Sequence, residues 1–182
     1  PLLLATLSTQ GNDMPKLYPI GVNHQLRPEA EKELQLPTQL ATSFNLPFEV
    51  ITVRIPEKGN LSAEARRLRY RALFRAAEQK TASHVITGHH ADDQLETMLM
   101  KLIRGAGLDG ISGMEMVNAI NVLRPLLSIT SEEIHTYLSN HEIPYAQDPT
   151  NLSLEQHRTK IRHQVVPVLR EIRAAAAINA NR

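Results

Sequence analysis

Short β-branched apolar runs alternate along this chain with longer stretches whose apolar residues recur every three or four positions. That alternation predicts strand–helix–strand crossover units and, with them, a parallel sheet. Residues 18–23 (YPIGVN), 48–55 (FEVITVRI), 84–87 (HVIT) and 120–123 (INVL) read as strands. Helical periodicity is clearest over residues 62–80, with Ser62 as N-cap, and over residues 91–104. In the latter, Leu95, Met98, Leu99 and Leu102 mark an apolar face. Residues 130–140 open on a capping pattern, Thr130 followed by Glu133, and a last basic helix covers residues 154–173. Residues 29–45 are helical in pattern, but Pro37 inside them is expected to break or kink the helix. The apolar start, residues 3–9, reads as the end of a helix, closed by the turn signal Gly11-Asn12-Asp13.

The expected fold class is therefore α/β, a doubly wound and mostly parallel sheet over residues 1–150, with a helical extension over residues 151–182. In such sheets ligands bind beyond the carboxyl ends of the strands. Gly88, His89, His90, Asp92 and Asp93 then follow one strand into that edge, and His24 and Arg27 follow another.

Composition narrows the chemistry. A length of 182 residues with 42% hydrophobic and 21% charged residues suits one domain with a real core. The net charge of +1 and pI of about 8.6 announce no polyanionic partner, so nucleic-acid contacts must come from local basic clusters. The absence of cysteine excludes disulfides, thiolate zinc sites, iron–sulfur ligation and a cysteine nucleophile from this chain. No run of eighteen apolar residues predicts a membrane-spanning helix. The first residues lack a basic leader region and an initiator methionine, so the chain is expected to begin inside a longer protein.

The densest chemistry lies in residues 88–114. A helix starting near Ala91 puts Asp92 and Asp93 in its first turn, with Asp93 and Glu96 three apart on one face. Paired carboxylates there suit a Mg²⁺ ion held with nucleotide phosphates, or an incoming ammonium group. For Asp92 the plainer role, complementing the helix dipole, is preferred. Arg104 to Gly110 (RGAGLDG) contains GxGxxG spacing but follows a helix rather than a strand, which rules out a dinucleotide loop. On residues 62–80, Arg67, Arg71 and Arg75 read as a solvated face, while Arg66 and Arg69 share a face that could clamp phosphate. Arg158, Lys160, Arg162 and His163 form a second basic set, suited to RNA backbone. Aromatic residues, at 4%, are too few for a base-stacking platform.

Six motifs occur in order: HxLR at 24–27, ARxxRY at 65–70, GHHxDDxxET at 88–97, RGxGxxG at 104–110, RPLL at 124–127, and DxxN…R…R…P over 148–167. Together they resemble the catalytic domain of the tRNA(Ile)-lysidine synthases, within the N-type ATP-pyrophosphatase, or PP-loop, superfamily. The resemblance implies a Rossmann-like, adenine-nucleotide hydrolase-like fold in a cytoplasmic ligase. It implies that ATP adenylates the wobble cytidine of a tRNA(Ile) with a CAU anticodon, and that free lysine then displaces AMP. By the same resemblance Asp93 and Glu96 serve lysine recognition or metal work, with His89 beside the reacting centre and Arg69 near the reacting phosphate. His24, Arg27 and Gly88 lie near ATP, and Arg66, Arg104, Arg158 and Arg162 contact the tRNA substrate. ATP and Mg²⁺ are the implied cofactors, with Asp93 as the Mg²⁺ candidate; no membrane is involved, and a homodimer is left open.

Three departures from the family pattern stand out. The SGGxDS pyrophosphate loop is absent, and residues 2–7 look like the helix that follows it, which points to truncation. Pro37 interrupts a helix expected to be continuous, and Thr159 stands where the family shows asparagine. The tRNA-binding region that follows the catalytic domain is likewise expected beyond residue 182. These 182 residues alone are therefore expected to give no ATP–pyrophosphate exchange. The rival enzyme class, a tRNA thiolase of the same superfamily, needs cysteines that this chain lacks. A rival of another kind is an inactive fragment retained for RNA binding.

Overall fold

The structure is a computed structural model that describes residues 4–8, 16–23, 34–55, 61–107, 110–146 and 157–181. His24, Arg27, the Gly11-Asn12-Asp13 turn and the Asp148–Asn151 motif lie outside the described residues. Five strands are formed: β1 (Leu4–Ser8), β2 (Lys16–Asn23), β3 (Glu49–Thr52), β4 (His84–Ile86) and β5 (Val122–Leu123). The helices are α1 (Gln35–Ser43), α2 (Leu61–Gln79), α3 (Ala91–Ile103), α4 (Ser131–Asn140), α5 (His157–Lys160), α6 (Val166–Ile172) and α7 (Ala176–Asn179). A π turn, Ile161–Val165, joins α5 to α6.

The chain divides into two compact units. One comprises residues 1–87 and 119–123 and holds the sheet with α1 and α2; the other comprises residues 88–118 and 124–182 and holds α3 to α7.

In the first unit the sheet order is β3-β2-β1-β4-β5. β2 pairs in parallel with β3, and β4 with β5, as crossover units require. β1 runs antiparallel to both neighbours, with Thr6 opposite Tyr18 on one side and Val85 on the other. The expected α/β class is present, but the sheet is mixed, and residues 4–8, expected as part of a helix end, form a strand. Leu, Ala, Thr and Ser are compatible with either state over so short a run. Strands on both sides satisfy the backbone of β1, and that pairing decides the matter.

α2 carries the core of this unit. Ala72, Leu73, Ala76 and Ala77 are buried at helical spacing, and the last three cluster with Ile20 of β2 and Val85 of β4. Arg67, Arg71 and Arg75 fall on the opposite, exposed face, as their spacing predicts. Pro37 lies in the first turn of α1, which starts at Gln35; residues 29–33 of the expected helix lie outside the described residues. A first-turn residue has no intrahelical partner for its N–H, so the missing donor costs little.

Leu73 is 2% exposed, at the centre of this cluster. Leu73→Ala is expected to lower stability by about 2–5 kcal/mol in urea unfolding, through lost burial and the cavity left behind. A loss under about 1 kcal/mol would mean the site collapses around the smaller side chain.

Candidate functional site

The second unit buries polar groups to an unusual degree. On α3, Ala91 and Leu95 pack into a cluster with Ile161, Val166 and Ala177, and Leu99 and Met100 lie against it. Leu102, expected on the same face, is exposed at the helix end. Beside that apolar stripe Asp92, Gln94 and Glu96 are also buried. The α3 turns nearest the apolar stripe therefore present carboxylates to the interior of the unit.

The cations that compensate them come from far along the chain. Arg158 donates from Nε to Glu96 at 2.7 Å and from a terminal nitrogen to Asp93 Oδ1 at 3.0 Å. Arg162 donates from Nε to the other Glu96 oxygen at 2.6 Å, and from a terminal nitrogen to Glu96 at 2.9 Å and to Asp93 Oδ1 at 3.1 Å. Glu96 has none of its side chain exposed, whereas Arg158 and Arg162 are 39% and 32% exposed. Burial is the largest influence on the Arg162 guanidinium and pulls its pKa down. The Glu96 hydrogen bonds and the Glu96, Asp93 and Asp92 charges more than reverse that, so it lies above the ordinary arginine value.

Asp92 is not only a dipole partner. One oxygen accepts from the backbone N–H of Ser131 at 2.8 Å, and the other accepts from Arg170 on α6. Burial, the largest influence, pushes its pKa up. The contacts with His90, Ser131 and Arg170 outweigh it and hold the carboxyl well below the usual aspartate range. His90 stands between the acids, Nδ1 3.5 Å from Asp92 and Nε2 3.4 Å from Asp93. Its backbone N–H donates to Asp93 Oδ2 at 3.1 Å, which caps α3. Both Asp93 oxygens are thus engaged, one by two guanidiniums and the other by an amide. A Mg²⁺ ion at Asp93 would have to displace one of these donors. Among the described residues no three His, Asp or Glu side chains converge as metal ligands.

The other sequence-predicted residues fall as follows. Gly88 is exposed, with open space where a Cβ would stand, and His89 is buried. Arg104 is the exposed C-cap of α3. The glycine after it, Gly105, has φ +81° and ends the helix: Gly105 N–H donates to Leu102 O and Ala106 N–H to Lys101 O. The first glycine of RGxG is therefore a helix terminator. Arg66 and Arg69 belong to the other unit, on α2. Arg66 lies 5.2 Å over the Tyr70 ring. Burial first, and then the Arg66 charge, holds the Arg69 guanidinium below its ordinary value.

Sequence reasoning placed His90 at this edge without a role, and missed Arg170 and Gln94. Arg170 carried a faint signal, lying at multiples of four from Arg158 and Arg162 on a basic helix. Gln94 makes a two-way clamp on Met114, donating to its carbonyl at 3.0 Å and accepting from its N–H at 2.6 Å. The clamp requires Gly113, where a Cβ would stand 2.1 Å from the Gln94 amide nitrogen. Arg124 of RPLL is buried and donates to Glu115 O at 2.7 Å, which holds the same loop.

Residues 1–169 match the family model described as the PP-loop domain. Among curated proteins the chain is similar to the tRNA(Ile)-lysidine synthase of Bradyrhizobium diazoefficiens, 40% identical over 152 residues that cover 81% of this chain and 42% of that protein. It is also 35% identical over 170 residues to that of Pseudomonas fluorescens, covering 92% of this chain and 38% of that protein. The chain thus spans about two fifths of the length of these relatives. Among solved structures it is similar to a U34-tRNA thiolase from Methanococcus maripaludis, with a TM-score of 0.74 at 15% identity. That likeness covers 89% of this chain and 58% of the thiolase chain, and shows a shared Rossmann-like α/β fold.

Two outcomes follow from the ion cluster. Arg162→Ala leaves a fully buried Glu96 short of two of its three hydrogen bonds and should cost about 3–5 kcal/mol in urea unfolding. Arg158→Ala should cost less, since Arg162 still holds Glu96; equal losses near about 0.5 kcal/mol would mark ordinary surface pairs. The lowered Asp92 pKa gives stability that is complete above the unfolded aspartate value of about 4. That stability is lost as the pH falls from there through the native value. Asp92→Asn should accordingly flatten the stability–pH curve below about pH 4, measured by acid titration of the unfolding free energy.

Proposed function

We propose that this chain, which belongs to the PP-loop domain family, is the catalytic part of a tRNA(Ile)-lysidine synthase, an ATP-dependent ligase that forms a carbon–nitrogen bond on tRNA. The observation that carries this reading is the carboxylate pair of Asp93 and the fully buried Glu96, which holds two cationic side chains at 2.6–3.1 Å. Acceptors that hold guanidinium groups in this way have the charge and geometry to hold the ammonium of free lysine instead. Support also comes from the curated relatives, which carry that name.

In this reading the α-phosphorus of ATP is attacked by O2 of the wobble cytidine in the CAU anticodon, and pyrophosphate leaves. The lysine side-chain amine then attacks C2, the C2–O bond breaks, AMP leaves with the bonding electrons, and the amine proton passes to solvent. Asp93 and Glu96 orient the lysine. The guanidinium it displaces, Arg158 or Arg162, is free to pair with the departing phosphate. Arg69 is disfavoured by burial and by Arg66, so it gains from an anion beside it and is assigned to the reacting phosphate. His89 is assigned to the reacting centre, His24, Arg27 and Gly88 to ATP, and Arg66 and Arg104 to the tRNA backbone. Mg²⁺ would neutralise the ATP phosphates, and no role at it is assigned to Asp93. A chain without cysteine offers no thiolate for sulfur transfer, which sets this reading ahead of a thiolase.

The test is ATP-dependent transfer of radiolabelled lysine to a tRNA(Ile) transcript with a CAU anticodon, using the full-length protein. Incorporation is expected, and Asp93→Asn or Glu96→Gln should lower kcat/KM for lysine about 100-fold, the loss of roughly two charge-assisted hydrogen bonds. Binding of ATP and tRNA without any lysine transfer would favour the RNA-binding scaffold instead.

A further inference from the structure

The helical run from His157 to Ile172 is not one regular helix. α5 gives way to the π turn Ile161–Val165, and α6 carries Pro167 in its first turn. A proline cannot donate to the carbonyl four residues back, and its ring crowds that carbonyl, here the one of His163. A π turn relieves the crowding by widening the helix by one residue.

The consequence is a change of phase. In an unbroken α-helix Arg162 would lie about 40° around the axis from Arg158, and Arg170 about 120°. One extra residue subtracts about 100° from everything beyond it, which returns Arg170 to within about 20° of Arg158. All three guanidiniums then face α3, and each meets a carboxylate: Arg158 and Arg162 meet Asp93 and Glu96, and Arg170 meets Asp92. Asp92 at the same time anchors the first turn of α4 through Ser131 N–H. Asp92 directly precedes Asp93, so its anchorage sets where the Asp93 carboxylate stands. The Ala91, Leu95, Ile161, Val166 and Ala177 cluster packs α3 against the π turn, α6 and α7; apolar packing is non-directional, whereas guanidinium–carboxylate pairs are directional.

We propose that Arg170 and Asp92, brought into register by the π turn at Pro167, are positioning residues for the cation site. They set the separation between the Asp93–Glu96 carboxylates and the Arg158–Arg162 guanidiniums, and so the width available to an incoming ammonium. This rests on the reading that the carboxylate pair takes lysine. Neither residue touches the substrate.

The experiment pairs two measurements on the full-length protein. One is equilibrium dialysis of radiolabelled lysine in the presence of tRNA(Ile) transcript and a non-hydrolysable ATP analogue. The other is the side-chain Nε–H NMR signals of Arg158 and Arg162, both bonded to Glu96. Arg170→Gln is expected to weaken lysine binding about 10–100-fold, the range for partners that orient a binding group. It should also shift or broaden both Nε–H signals well below the melting temperature, and Arg170→Lys should recover part of the affinity. If Arg170→Gln does not fold, the isosteric Asp92→Asn carries the test, with a smaller loss and the same signal changes. Variants with a lowered Tm but unchanged lysine affinity and Nε–H signals would show a purely stabilising pair and overturn the proposal. A wild-type protein that binds no lysine would overturn the functional reading and this inference together, whereas wild-type binding with unaffected variants overturns this inference alone.

Discussion

A carboxylate with none of its side chain in water, as at Glu96, survives in a folded protein only where cations and donors replace its lost hydration. The second unit is arranged around that requirement. α3 brings three carboxylates toward the interior, and the helices after residue 157 return three arginines to meet them. Formal charge cancels across the six groups. The cluster is therefore neutral only as a whole, and the removal of any one member leaves a charge behind in a poorly hydrated place.

Packing and charge cooperate to hold it. The apolar stripe of α3 and the small and branched residues of the later helices bring the two segments together. The ion pairs then discriminate among the rotations that such a cluster allows, since guanidinium and carboxylate must meet in a fixed plane. Asp92 and Gln94 extend the same logic to the backbone, tying the start of α4 and the loop after Gly110 to α3, and Arg124 holds that loop from the segment after β5. Within this frame the acids are the more deeply buried partners, and Arg158 and Arg162 the more exposed ones.

The comparisons bear on two separate levels. The PP-loop match and the α/β architecture describe a scaffold shared with a tRNA thiolase at low identity, so the scaffold alone selects no chemistry.

Local signals in the sequence were enough for α2, α3, α4 and the strands that flank them. Apolar period, the Thr130–Glu133 cap and β-branched runs are properties of neighbouring residues, and the Thr130 cap is present as expected. The spacing within GHHxDDxxET likewise puts Asp93 and Glu96 on one helical face. Residues 4–8 were beyond that reach, because a short run of leucine, alanine and threonine becomes a strand only when partners on both sides take its hydrogen bonds. The choice of cations for the acids was equally out of reach. Arg158, Arg162 and Arg170 stand 62 to 78 residues from their partners, and Arg170 reaches Asp92 only because a π turn alters the helical phase. Residue types and local period determine which groups can be charged, capped or buried. Which opposite charge lies beside which depends on long-range packing, and only the tertiary structure decided it.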